Sequence, residues 1–142
     1  DDQQQGGIDL VLDVLITTPE MARQGLQPHP LAVSNTKHLY WTVTQLLTHQ
    51  TVNGCNLRPG DLLGSGTISG PDPEQSDSLL EATQGGKEPI LLLSGEKRIF
   101  LEDGDEIILR ACASRQDFAA IGFGECRASI LPAKPATGRS TP

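Results

Sequence analysis

Long apolar runs are missing from this sequence. Its most strongly apolar stretch is Ile90 to Leu93, far below the roughly 18 residues that a membrane-spanning helix requires. No basic stretch followed by an apolar one opens the chain either, so neither a membrane span nor a secretory leader is expected. Positive charge is scarce: 11 Lys and Arg stand against 18 Asp and Glu, a net charge of −7. That balance opposes binding to nucleic acid or to an anionic membrane surface. Cysteine is sparse and odd in number. Cys55, Cys112 and Cys126 form no close pair, which argues against a disulfide framework and against a CxxC zinc site, and fits reduced thiols in the cytoplasm. Phosphate-binding glycine motifs of the GxxxxGK[ST] and GxGxxG kinds are absent, as is a GxSxG nucleophile elbow. His29, His38 and His49 show neither HxxxH nor HExxH spacing.

What remains is enough for one ordinary domain. The 142 residues are 37% hydrophobic, and a chain of this length can bury roughly 70% of its unfolded surface. The 15 glycines and 10 prolines fall short of a low-complexity composition. The first residue is Asp1 rather than Met and a strand-like segment follows almost at once, so the chain is expected to be part of a longer polypeptide.

Local patterns predict a mainly β fold with one or two helices. Ile8, Leu10, Leu12, Val14 and Ile16 alternate with Asp9 and Asp13, the period of a strand with one buried face. Residues 17 to 34, with Pro19, Gly25, Pro28 and Pro30, read as a connection with room for one helical turn. Ser34 or Asn35 then caps a helix that runs to about Gln50 and stops before Asn53-Gly54. Strands are predicted over Leu62 to Ile68 and Leu79 to Thr83, followed by a hairpin of Ile90 to Leu93 with Arg98 to Leu101 around Ser94-Gly95-Glu96-Lys97. Further strands are predicted at Glu106 to Ala113, Ile121 to Gly124 and Ala128 to Leu131. Residues 132–142, rich in proline, read as a flexible tail. One local echo stands out: Arg58-Pro59-Gly60-Asp61 and Glu102-Asp103-Gly104-Asp105 both place Gly-Asp before an apolar segment.

The stretch most suggestive of chemistry runs from Asn53 to Pro71. It interleaves glycine and proline with small polar residues, which lets backbone approach a ligand closely; a tight turn crowded against neighbouring backbone would look the same. Glu81 follows Leu79-Leu80. On the residues alone it lies either on the solvent face, the usual place for Glu, or buried beside a cationic or imidazole partner.

The strings Asn53-Gly54-Cys55-Asn56-Leu57-Arg58-Pro59-Gly60-Asp61-Leu62-Leu63, Ser65-Gly66-Thr67-Ile68-Ser69-Gly70-Pro71 and Ser78-Leu79-Leu80-Glu81 closely resemble the C-terminal part of the fumarylacetoacetate hydrolase family. Tyr40-Trp41-Thr42, Phe100 to Glu106 and Ile121 to Cys126 extend the resemblance, which runs from about Ile8 to about Pro132. It implies a mixed β-sandwich roll, incomplete at its N-terminal side, with residues 1–131 forming the C-terminal part of a catalytic domain. It also implies a homodimeric enzyme of tyrosine and phenylalanine catabolism that splits the carbon–carbon bond of a small substrate, 4-fumarylacetoacetate, with water. In that family a divalent cation, Ca or Mg, polarises the β-diketone and a His activates the water. By matching position, Thr67 would contact substrate, and Glu81 would sit inside and orient and charge the His. The family's metal-binding carboxylates and its His lie before the matched part, so the resemblance implies no metal ligands in this chain. The alternatives are another activity of the same family (acylpyruvase, decarboxylase or hydratase) or a non-catalytic fragment.

Overall fold

A computed structural model of the chain describes residues 1–134; the predicted tail lies largely outside the described residues. After a short helix α1 (Asp2–Gln5) come strand β1 (Val11–Thr17), helix α2 (Pro19–Arg23) and strand β2 (His29–Asn35). Helices α3 (Val43–Val52) and α4 (Leu79–Ala82) follow, then the two-residue strands β3 (Ile90–Leu91) and β4 (Lys97–Arg98), and the long strands β5 (Glu106–Ala113) and β6 (Ile121–Ser129). The long strands form one antiparallel sheet in the order β2-β1-β5-β6, while β3 and β4 pair as a hairpin. The fold is therefore mainly β. Among the described residues it holds four α-helices where one or two were predicted, and three of these have five residues or fewer.

Several elements differ from their predicted places, each for a physical reason. Residues 29–34, expected as the end of a connection, belong to β2 with Asn35. Pro30 is tolerated there because β2 is an edge strand, and because the register jumps beside it, from Val14↔Ala32 to Leu15↔Pro30. The helix predicted from Ser34 or Asn35 begins only at Val43. Asn35 does act as a cap, accepting from Lys37 N–H at 2.8 Å, but of a single 3-10 turn. The true N-cap is Thr42, whose hydroxyl accepts from Gln45 N–H at 3.2 Å while the Gln45 side chain accepts from Thr42 N–H at 3.0 Å. The helix ends at Asn53 as predicted.

Leu79 to Thr83 is helical rather than a strand. Ser78 caps it by accepting from Glu81 N–H at 3.2 Å, and Gln84, Gly85 and Gly86 end it with positive φ; so short a segment carries too little periodicity to separate helix from strand. Leu62 to Ile68 forms no strand at all. By contrast β5 lies where predicted. The segment predicted at Ile121 to Gly124 and the first two residues of that predicted at Ala128 to Leu131 belong to one strand, β6, which ends at Ser129 and bulges at Gly124 (φ +78°), where the register against β5 shifts.

The core gathers at one end of the sheet, where Ile16, Met21 and Leu92 are buried together and Leu26, Leu31, Ile90, Leu101 and Ile107 pack around them. Thr18 caps α2 and puts Met21 there, accepting from Met21 N–H at 3.1 Å. The opposite face of the sheet carries a charged row beside the apolar Leu15 and the buried Ile108. Asp13, Arg110 and Glu125 lie in register across three strands, and Arg127 bridges Glu125 and Glu106 at 2.8 Å each. Hydrogen bonds from Arg127 and then Arg110 hold the Glu125 carboxyl below its usual range.

His29 makes the fold sensitive to pH just below neutrality. Burial of His29 on β2 lowers its pKa from 6.5, and its Nδ1 is buried without a partner among the described residues. A lowered imidazole binds fewer protons folded than unfolded, so its contribution is complete above 6.5 and is lost as pH falls through the lowered folded value. The melting temperature is expected to drop below that pH, and His29→Gln to flatten this part of the curve; a melting series from pH 7.5 to 5 reads both out.

Candidate functional site

Two turns of one design frame the candidate site and the core. At Arg58-Pro59-Gly60-Asp61, Asp61 N–H donates to Arg58 C=O at 3.1 Å, and the Asp61 carboxylate accepts from Arg58 N–H at 2.8 Å. At Glu102-Asp103-Gly104-Asp105 the same pair of bonds recurs at 3.0 and 2.9 Å. Gly60 and Gly104 both take positive φ, +95° and +91°, which is why Gly precedes Asp in each. At Gly104 a Cβ would also meet the Pro19 ring at 2.8 Å.

The surroundings of the two aspartates differ. Asp105 is wholly buried and receives Arg98 through two bonds, Nε at 2.9 Å and Nη2 at 3.1 Å. Arg98 reaches Glu96 as well, at 3.2 Å. Asp105 holds the guanidinium pKa above its ordinary value, and the Glu96 carboxyl is held below its own, first by the Thr18 hydroxyl at 2.5 Å and then by Ser94 at 2.7 Å. The network ties α2, the β3–β4 hairpin and the entry of β5 together. Asp61 is exposed, as is every residue from Thr51 to Thr67.

From Asp61 the chain runs to Pro71 without regular secondary structure, and two side-chain bonds and one backbone bond take the place of a ladder. Ile68 N–H donates to Asp77 Oδ2 at 3.0 Å, Asp77 N–H donates to Ser69 Oγ at 3.4 Å, and Gly70 N–H donates to Gln75 C=O at 3.0 Å. Ser69 Oγ in turn donates to Glu81 Oε2 at 2.5 Å. Beneath this segment a cleft of about 380 Å³ separates Gly66, Ile68 and Asp77 from Leu12, Leu109 and Phe123 of the sheet.

The two residues singled out from the sequence thus lie at the ends of a short relay: Thr67 beside Ile68, and Glu81 on α4. Both are exposed within this chain. Among the described residues Glu81 is hydrogen-bonded to Ser69, and no imidazole hydrogen-bonds to it. His49 lies instead on α3, lining a cleft of about 200 Å³ with Trp41, Gln45 and Leu46. No three His, Cys, Asp or Glu side chains gather as a metal site requires among the described residues. The described residues thus build no divalent-cation site of their own. Sequence reasoning assigned no role to Ser69 or Asp77, and no local pattern pairs Ile68 with Asp77 across nine positions. For Asp105 the Gly-Asp echo marks the turn but not the burial, since Asp61 in the matching turn is exposed.

The family model described as "Fumarylacetoacetate (FAA) hydrolase C-terminal" matches residues 24–131. The chain belongs to the fumarylacetoacetate hydrolase family. It is 49% identical over 127 residues to a fumarylacetoacetase of Oryza sativa, covering 89% of this chain and 28% of that protein. Against the Homo sapiens fumarylacetoacetase the identity is 52% over 107 residues, 75% of this chain and 25% of the relative. With that of Dictyostelium discoideum it is 44% over 135 residues, 92% and 30%. The chain thus spans less than a third of the length of these family members.

Proposed function

We propose that this chain is the C-terminal portion of a fumarylacetoacetase, with residues 1–131 completing a catalytic domain whose remainder lies outside it. The observation that carries this is the identity of about half across most of the chain to curated fumarylacetoacetases; a match of 127 of 142 residues spans both Thr67 and Glu81. In the reaction, the oxygen of water adds to the fumaryl-side carbonyl carbon and the carbon–carbon bond breaks. Its electron pair leaves with the acetoacetate fragment as an enolate, which takes up a proton, and fumarate is the other product.

This chain's share is positioning. Thr67 contacts substrate from the 61–71 segment, and Glu81 orients an imidazole supplied from outside residues 1–142 and stabilises it once it has taken a proton from water. A divalent cation, Ca or Mg, is held by carboxylates that likewise lie outside. The exposed apolar side chains Tyr40, Trp41, Val43, Val52, Leu62 and Leu63 support this reading, because a surface this apolar suits contact with more protein. A cytoplasmic homodimer is part of the same proposal.

The substrate assignment is tested by loss of enol absorbance with Mg or Ca present, in the longer polypeptide, for 4-fumarylacetoacetate against acylpyruvates. Preference for fumarylacetoacetate supports it; preference for an acylpyruvate moves the protein to another activity of the family.

A further inference from the structure

The segment carrying Thr67 and the helix carrying Glu81 meet at one hydroxyl. Asp77 N–H donates to Ser69 Oγ at 3.4 Å, so the hydroxyl proton is free to go elsewhere, and it goes to Glu81 Oε2 at 2.5 Å. Asp77 also accepts from Ile68 N–H at 3.0 Å. Residues 68 and 69 are thereby clamped to residue 77 in both directions, backbone to side chain each way. The clamp fixes Ser69 at the same time as it fixes the backbone that presents Thr67.

We propose that Ser69 is a positioning residue that sets the Glu81 carboxylate in register with Thr67. This rests on the reading of Glu81 given above. Glu81 sits exposed on a four-residue helix, where nothing but a specific contact selects among the rotamers of a long acidic side chain. The Ser69 hydroxyl is that contact. It occupies one carboxylate oxygen and leaves Oε1 to receive an imidazole N–H, so that the charge is held in place rather than created. Loss of the hydroxyl leaves the carboxylate charged but lets it swing away from the base.

The test is a double-mutant cycle on kcat and KM in the longer polypeptide. Ser69→Ala is expected to lower kcat by roughly tenfold to a hundredfold, the range for a hydrogen bond to a charged group, with KM almost unchanged. Ser69→Thr, which keeps the hydroxyl, is expected to restore most of the rate, and Ser69→Ala is expected to add nothing in a Glu81→Gln background. Unchanged kcat in Ser69→Ala beside a crippled Glu81→Gln overturns the role of Ser69 and leaves that of Glu81 standing. Full activity in Glu81→Gln removes the role of Glu81, and this proposal with it. An equal loss from Ser69→Ala in both backgrounds overturns the coupling. If Ser69→Ala melts early, Ser69→Thr decides: a near-normal kcat supports the proposal, and a tenfold loss overturns it.

Discussion

Glu81→Gln, introduced into the longer polypeptide, is expected to cut kcat by orders of magnitude, on the order of 10²–10⁴, while the melting temperature stays within about a degree. The substitution keeps the shape of the side chain and an oxygen able to accept from Ser69 Oγ, which lies 2.5 Å away in the parent. It keeps the Glu81 backbone N–H that Ser78 caps at 3.2 Å. What it removes is the charge. A carboxylate beside an imidazole stabilises the imidazolium formed when the base takes a proton from water, and an amide does so far less. Because that interaction strengthens along the reaction, the loss falls on kcat rather than KM. Steady-state kinetics beside a thermal melt separate the two effects, and near-normal turnover removes Glu81 from the mechanism.

The second large effect concerns stability. Arg98→Met is expected to destabilise the fold by about 3–5 kcal/mol, because a buried carboxylate loses its charged partner. Asp105 is 0% exposed, and in the variant it keeps only the Glu102 N–H donor at 2.9 Å among its side-chain contacts. A loss of that size lowers the melting temperature by roughly 10 °C or more in a domain of this length. Replacing both partners, Arg98→Met with Asp105→Leu, is expected to recover part of the loss, since no unpaired charge then remains inside.

The Glu96 contribution is expected to survive in the single variant, because the Thr18 and Ser94 hydroxyls lead the lowering of its carboxyl. A lowered carboxyl stabilises above the unfolded value of 4.5 and ceases to do so as pH falls through the lowered folded value. Acid sensitivity in that range is therefore expected to persist after Arg98 is gone. Chemical denaturation of the three proteins at pH 7 and pH 4 checks both statements, and a single variant as stable as the parent contradicts the first.

The parts of the fold legible in the sequence are those fixed by local chemistry. The alternation in β1, the run of β5, the Asn53-Gly54 helix stop and the Gly95 turn all declare themselves within a few residues. What escaped depends on distant neighbours. β2 is a strand because β1 lies beside it and leaves Pro30 at an edge. The 61–71 segment looks like a strand but pairs with none, being held by Asp77 and Gln75. The site was legible through its strings rather than its physics. Thr67 and Glu81 stood out by resemblance, whereas Ser69 and Asp77, which join them, have meaning only once the chain has turned back on itself through the 3-10 turn at Pro73–Gln75.

The most direct measurement of the central claim is hydrolysis of 4-fumarylacetoacetate by the 142-residue chain, beside the longer polypeptide, with Mg or Ca present. Turnover is expected from the longer form and none from the chain alone, because in the proposed reading the base and the metal ligands are supplied from outside residues 1–142, and no cluster of metal-ligating side chains forms among the described residues. Turnover by the chain alone would contradict it, and would place a base and a metal site among residues that do not come together in this structure.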